Sequence, residues 1–149
     1  MDIFISHGRH DADDFIILDA AHNPHGAAAI AETVQSEFTF DEVIGVVAPM
    51  GDKDIHGILL ELEQVMDSII VTANSSSRST PVDKLEKIAI EIFGADRVFS
   101  DETLGQALDR AIKDTIRPLS DDTIGILVTG SVVTVGEARS YLRNKFSKG

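Results

Sequence analysis

The stretch that decides the fold reads Ile17-Leu18-Asp19-Ala20-Ala21-His22-Asn23-Pro24-His25-Gly26. It follows the apolar residues Phe15 and Ile16, so it predicts the end of a buried strand and the start of a helix. Asn23 is a good N-cap, and Pro24 suits the first helical position, where its missing N–H costs nothing. Asp19 and His22 therefore fall at the carboxyl end of a strand, beside a helix N-terminus. Ligands bind at such places in open α/β sheets, and helix N-termini favour anions.

Short apolar runs alternate with helical patterns along the rest of the chain. The runs predicted as strands are 15–18, 43–48, 68–72, 97–99 and 123–128. Asp54 and Thr80-Pro81 are typical helix starts, Gly94 is a typical helix end, and Gly130-Ser131 leads into the last helix. Continuous rather than alternating apolar runs indicate burial on both faces. We therefore predict an α/β, three-layer, Rossmann-like domain with a mostly parallel sheet of about six strands and helices on both faces.

Length and composition limit the function classes. The 149 residues suit one domain, which we place at 13–149, and the polar segment 1–12 is predicted as a linker or N-terminal arm. A net charge of −12 argues against nucleic-acid binding, and no apolar run is long enough to cross a membrane. Without cysteine there is no disulfide framework and no thiolate nucleophile, which fits a cytoplasmic location.

Several motifs along the chain resemble one family. The run Asp19–Pro24 is similar to the D-x-A-H-N-P motif that opens the C-terminal domain of folylpolyglutamate synthases and dihydrofolate synthases, in the Mur ligase superfamily. Gly8-Arg9 resembles the Gly-Arg pair of that family, residues 50–54 its D-K-D turn, and Arg78 an arginine after its third strand. Residues 129–139 are similar to its G-S-x-x-x-V-G-E-x-R ending. A Mur peptidoglycan ligase is a near alternative, since it shares the fold.

The resemblance implies roles for individual residues. It makes Arg9 and Asp19 contacts of ATP, and His22 and Ser131 contacts of the glutamate substrate. Further residues are implied at the cleft between domains: Asn23, Asp52, Lys53 and Arg78.

From the residues alone, simpler interpretations stand beside these roles. Asp19 and Ser131 are also typical helix caps, and Arg9 is typical of a solvated linker charge. His22 and His25 have a spacing that suits zinc, but no convincing third ligand accompanies them, so we predict no metal in this chain. A stand-alone Rossmann-like module that binds a small ligand or a protein remains the alternative of a different class.

Two absent motifs complete the sequence prediction. The chain has neither the G-x-x-x-x-G-K-[ST] phosphate loop nor the G-x-G-x-x-G dinucleotide fingerprint. The family carries its phosphate loop and its Mg²⁺ ligands in an N-terminal ATPase domain, so the resemblance implies that this chain is the C-terminal domain only. We therefore expect no catalytic residue in this chain by itself, no turnover without the ATPase domain, and L-glutamate, folate or dihydropteroate, ATP and Mg²⁺ as the ligands of the whole enzyme.

Overall fold

The computed structural model describes residues 1–7, 13–117 and 121–147. These ranges contain six strands and five helices. The strands are β1 (Asp2–His7), β2 (Asp13–Asp19), β3 (Glu42–Val47), β4 (Ser68–Val71), β5 (Val98–Ser100) and β6 (Ile124–Thr129). The helices are α1 (Pro24–Glu37), α2 (Ile55–Glu63), α3 (Val82–Phe93), α4 (Leu104–Asp114) and α5 (Val132–Ser147), and a short 3₁₀ turn covers Ala95–Arg97.

The strands form one sheet in the order β1-β2-β6-β3-β4-β5. Five of them run parallel, and only β1 pairs antiparallel, with β2. The last strand in the chain, β6, therefore lies between the two strands that α1 connects. The predicted mostly parallel, six-stranded sheet is confirmed.

Two apolar cores cover the two faces of the sheet, as side-chain alternation along each strand requires. Ile17, Val47 and Leu127 point to one face, where α1, α2 and α3 pack. Ile16, Leu18 and their neighbours point to the other face, against α4 and α5. The structure is thus three-layered, and the fully buried strand residues explain the uninterrupted apolar runs in the sequence.

Two of the predicted helix starts are confirmed by capping hydrogen bonds. The side chain of Asn23 accepts from Gly26 N at 2.7 Å, with Pro24 at the first position of α1. Asp54 accepts from Gly57 N at 3.0 Å in the same way at α2. Both contacts span three residues, so the local sequence is sufficient to specify them.

The N-terminal segment differs from its prediction as a linker or arm. Asp2–His7 form an edge strand, because Ile3, Phe4 and Ile5 favour extended structure and pair in register with β2. Arg139 of α5 donates a hydrogen bond to the carboxylate of Asp2, and this bond lowers the pKa of Asp2 below its ordinary value. The first residues are therefore attached to the sheet and to the last helix. Residues 8–12, including Gly8-Arg9, lie outside the described residues.

Candidate functional site

The carboxyl ends of the central strands are level with one another. Asp19 of β2 is in register with Thr129 of β6, and Thr129 in turn with Val47 of β3. The loops that follow these strands therefore leave the sheet side by side. After β2 and β3 the chain continues to helices on one face, whereas after β6 it continues to α5 on the other face. Such a reversal opens a crevice at the strand ends, where α/β domains bind ligands.

The turn after β2 carries the first predicted pair of ligand contacts. Asp19 is partly exposed, and its Oδ2 accepts from Ala21 N at 3.2 Å, which leaves other carboxylate lone pairs available. His22 is exposed, and its only hydrogen bond among those described is a long contact of 3.4 Å between Nδ1 and Ala20 O. His22 lies just before α1 rather than inside it, so it does not share a helical turn with His25.

Thr129 adds a polar atom beside Asp19. Both residues follow, by two positions, side chains that face α1 to α3, so their side chains lie on the same face of the sheet. Among the described residues, Thr129 Oγ1 is the buried side-chain oxygen without a hydrogen-bond partner. The candidate crevice therefore contains a polar atom that the fold itself does not satisfy.

The turn after β6 carries Gly130 and Ser131. Gly130 has φ +136°, and a Cβ there would lie 2.6 Å from the backbone C and O of Ala48. Only glycine allows the two loops to approach this closely. Ser131 is 5% exposed, and its Oγ accepts from Thr134 N at 3.0 Å, so it is the N-cap of α5. Its predicted role as a helix cap is confirmed, and its contact with glutamate stays a prediction.

The β3–α2 loop contains the predicted D-K-D turn. Asp52 and Lys53 precede the cap Asp54, and Asp52 lies 3.4 Å from the guanidinium of Arg78 in the next loop. The side chains of Asp52 and Arg78 are more than half exposed, so this ion pair contributes little to stability. A Cβ at Gly57 would lie 2.7 Å from Pro24, so the start of α2 packs against the start of α1. The D-K-D turn is therefore next to the His22-Asn23 turn.

Asn74 in the β4–α3 loop is a central residue that sequence reasoning missed. It is 7% exposed, and its Nδ2 lies 3.0 Å from Thr134 Oγ1 and 3.5 Å from Ser131 Oγ. Thr134 Oγ1 continues this network to Ala48 O at 2.6 Å. The loops after β3, β4 and β6 are thus joined by one buried set of polar groups.

Glu137 is a second link between α5 and the β4–α3 loop. Its carboxylate accepts from Ser75 N at 2.9 Å and also from the Ser75 hydroxyl. Ser79 Oγ accepts from Asn74 N at 3.1 Å within the same loop. The polar composition of residues 73–79 is therefore used for hydrogen bonds rather than for solvation alone. The V-G-E motif pointed to Glu137 as a residue of interest. Its hydrogen-bond partner Ser75 lies 62 positions earlier, so the motif alone did not indicate this contact.

The part of the chain that the structure describes contains no group of three or more His, Cys, Asp or Glu side chains that could hold a metal ion. It also contains no helix that is long and apolar enough to cross a membrane.

The sheet and its helices define a Rossmann-like α/β domain whose candidate ligand site lies at the carboxyl ends of the strands. The chain belongs to the family described as Mur ligase, glutamate ligase domain, which matches residues 7–132. The dihydrofolate synthase/folylpolyglutamate synthase of Mycobacterium tuberculosis is 44% identical over 133 residues. This match covers 84% of the chain but 27% of that relative, so the chain spans little more than a quarter of the relative's length.

Solved structures agree with this family assignment. The chain is similar to Mycobacterium tuberculosis folylpolyglutamate synthase complexed with ADP, with a TM-score of 0.80 and 46% identity over 85% of the chain and 29% of that structure. It is also similar to a bifunctional folylpolyglutamate synthase/dihydrofolate synthase with Mn, AMPPNP and L-glutamate bound. There the TM-score is 0.73 and the identity 25%, over 87% of the chain and 29% of that structure.

Proposed function

We propose that the chain is the C-terminal domain of an ATP-dependent amide ligase that adds L-glutamate to the carboxylate of a folate or a dihydropteroate. The observation that carries this proposal is the register of Asp19 with Thr129, which brings the motif after β2 beside the motif after β6. The family match over residues 7–132 and the identity to a folylpolyglutamate synthase support it.

Asp19, together with Arg9, is the proposed contact of ATP. A carboxylate accepts two hydrogen bonds from the hydroxyls of a ribose well, and Asp19 keeps acceptor capacity after its contact with Ala21 N. The unpartnered hydroxyl of Thr129 lies beside it. A similar structure that is complexed with ADP supports the use of a nucleotide by the whole enzyme.

His22 and Ser131 are the proposed contacts of glutamate. Ser131 begins α5, whose first N–H groups have no partner within the helix and attract a carboxylate. An anion needs such local electrostatic stabilisation, because the whole chain carries a net charge of −12 and repels it. His22 is exposed at the neighbouring turn, and the cleft is completed by Asn23, Asp52, Lys53 and Arg78. A relative with L-glutamate bound supports an amino-acid site.

In the proposed reaction, the folate carboxylate attacks the terminal phosphate of ATP and ADP leaves. The amine of glutamate then attacks the acyl phosphate, inorganic phosphate leaves, and an amide bond remains. The ATPase domain would supply the phosphate loop and the ligands of Mg²⁺, which neutralises phosphate charge when bound. This chain would close over that domain and hold ATP and glutamate in place. Orientation of two substrates is worth about 7 kcal/mol or more in well-aligned systems, and closure keeps water from the acyl phosphate.

The decisive experiment uses the full-length gene product that contains this chain, with radiolabelled L-glutamate. We expect incorporation that requires both ATP and a dihydropteroate or a reduced folate. Incorporation only with a peptidoglycan precursor would favour a Mur peptidoglycan ligase. Ligand binding without any ATP-dependent ligation would favour a binding module. A cytoplasmic location is part of the proposal and is tested by fractionating cells that express the tagged protein.

A further inference from the structure

Asn74 has a fixed orientation at the centre of the three loops. Its Oδ1 accepts from Ser76 N at 2.9 Å, so its Nδ2 must be the atom that faces Ser131 and Thr134. This side chain belongs to none of the motifs through which the chain resembles its family. Nevertheless, among the predicted ligand contacts that the structure describes, only Ser131 is as deeply buried as Asn74.

The hydroxyl protons near Asn74 can be assigned from the acceptors. Ala48 O can only accept, so Thr134 Oγ1 donates its proton to it at 2.6 Å. Thr134 Oγ1 must then accept both from Asn74 Nδ2 and from Ser131 Oγ, each at 3.0 Å. Ser131 Oγ therefore donates to Thr134 Oγ1 and accepts from Thr134 N at 3.0 Å. The carbonyl of Ala48 thus sets the direction of the hydroxyl hydrogen bonds in this network, and Asn74 Nδ2 donates to a remaining acceptor position of Thr134 Oγ1.

The same network orients the start of α5. Its first two residues, Val132 and Val133, are 73% and 37% exposed, and the N–H groups at the start of a helix have no partner within the helix. These are the N–H groups to which a carboxylate would bind. The direction of these N–H groups depends on the Ser131 cap. The orientation of the Ser131 hydroxyl depends in turn on its hydrogen bonds with Thr134 and Asn74.

We propose that Asn74 is a positioning residue that sets the affinity for glutamate by locking the Ser131 turn. This inference rests on the proposed function of Ser131 and assigns the control of that turn to a different loop. Because the described hydrogen bonds of the Asn74 side chain do not reach the Asp19 turn, which is the proposed contact of ATP, its effect is expected on glutamate alone.

The test is Asn74→Asp in the full-length enzyme. This change keeps the Oδ1 acceptor for Ser76 N and removes the two N–H donors. We expect the KM for glutamate to rise by about fivefold or more, because a network bond to the cap is lost and because the new carboxylate repels the carboxylate of glutamate. Thr134→Val, which removes the same network bond without adding a charge, separates these two causes. We expect kcat and the KM for ATP to change by less than about twofold. Ser77→Ala is the matched control, because Ser77 is an exposed residue of the same loop and is expected to leave all three constants unchanged.

Two further variants make the result decisive. If Asn74→Asp does not fold, Thr134→Val removes the acceptor that Asn74 uses and should give the same selective rise. The double variant Asn74→Asp, Ser131→Ala tests whether Asn74 acts through Ser131. Its KM for glutamate should be no higher than that of Ser131→Ala alone. Additive effects would show that Asn74 acts independently of Ser131 and would overturn the proposal.

The two proposals fail in distinguishable ways. If Ser131→Ala raises the KM for glutamate and Asn74→Asp does not, the positioning role is wrong and the proposed glutamate contact stands. If Ser131→Ala leaves that KM unchanged, the glutamate contact at Ser131 is wrong, and the positioning role is wrong with it.

Discussion

Replacement of Gly130 by alanine is the sharpest test of how the site is built. Gly130 has φ +136°, and a Cβ there would lie 2.6 Å from Ala48 C and O and 2.9 Å from Pro49 N. The backbone conformation costs a residue with a side chain about 1–3 kcal/mol. Displacing the tightly packed β3–α2 backbone costs about another 1–3 kcal/mol. We therefore expect Gly130→Ala to lower the free energy of unfolding by about 4 kcal/mol, a large part of the roughly 5–15 kcal/mol of a typical domain.

Urea denaturation of the isolated chain, followed by circular dichroism, measures this loss. The matched control is Gly136→Ala in α5, where an added Cβ meets no atom within 4 Å. Alanine there should raise the stability by about 0.5–1 kcal/mol, because glycine is a poor helix former. In thermal unfolding, the loss at Gly130 corresponds to a Tm lower by about 10 °C. A Gly130→Ala variant as stable as the parent chain would refute the close approach of these loops.

Three further predictions concern the site and the last helix. His22→Ala in the full-length enzyme should raise the KM for glutamate by about tenfold and the KM for ATP by less, since a hydrogen bond to a charged group is worth roughly 1.5–3 kcal/mol. Steady-state kinetics measure both constants. A larger rise in the KM for ATP would mean that His22 contacts ATP rather than glutamate. The isolated chain should hydrolyse no ATP and ligate no glutamate, and robust turnover in a coupled phosphate assay would contradict its assignment as one domain of a ligase. The hydrogen bond from Tyr141 to Asp109, at 2.7 Å, raises the pKa of Tyr141 above its ordinary value of 10.0. Its contribution to stability should therefore be complete below about pH 10 and lost as the pH rises through the raised pKa. The free energy of unfolding of Tyr141→Phe, measured at several pH values, should approach that of the parent chain at high pH. A difference between the two chains that does not change with pH would contradict the assigned hydrogen bond.

Local features of the chain could be predicted because a few neighbouring residues specify them. Asn23 and Asp54 each cap a helix through an N–H three residues later, so sequence and geometry are directly linked. The fourth strand of the prediction, 97–99, is observed as Val98–Ser100, since Arg97 belongs to the preceding turn. Asp2–His7 could have been predicted from its β-branched and aromatic residues, but its charged and polar neighbours favoured an arm.

Local sequence patterns were enough to predict the alternation of strands and helices, the helix caps, the glycine at position 130, and the polar residues that end each strand. The place of β6 between β2 and β3, and the contact of Asn74 with Ser131 and Thr134, became known only from the folded chain. The difference comes from the range over which the interactions act. Caps and apolar periodicity act over a few residues, whereas strand order pairs Asp19 with Thr129, 110 positions later, and the Asn74 network joins Ala48 to Thr134, 86 positions later. Such contacts depend on how whole layers pack, and no local pattern in one sequence encodes them.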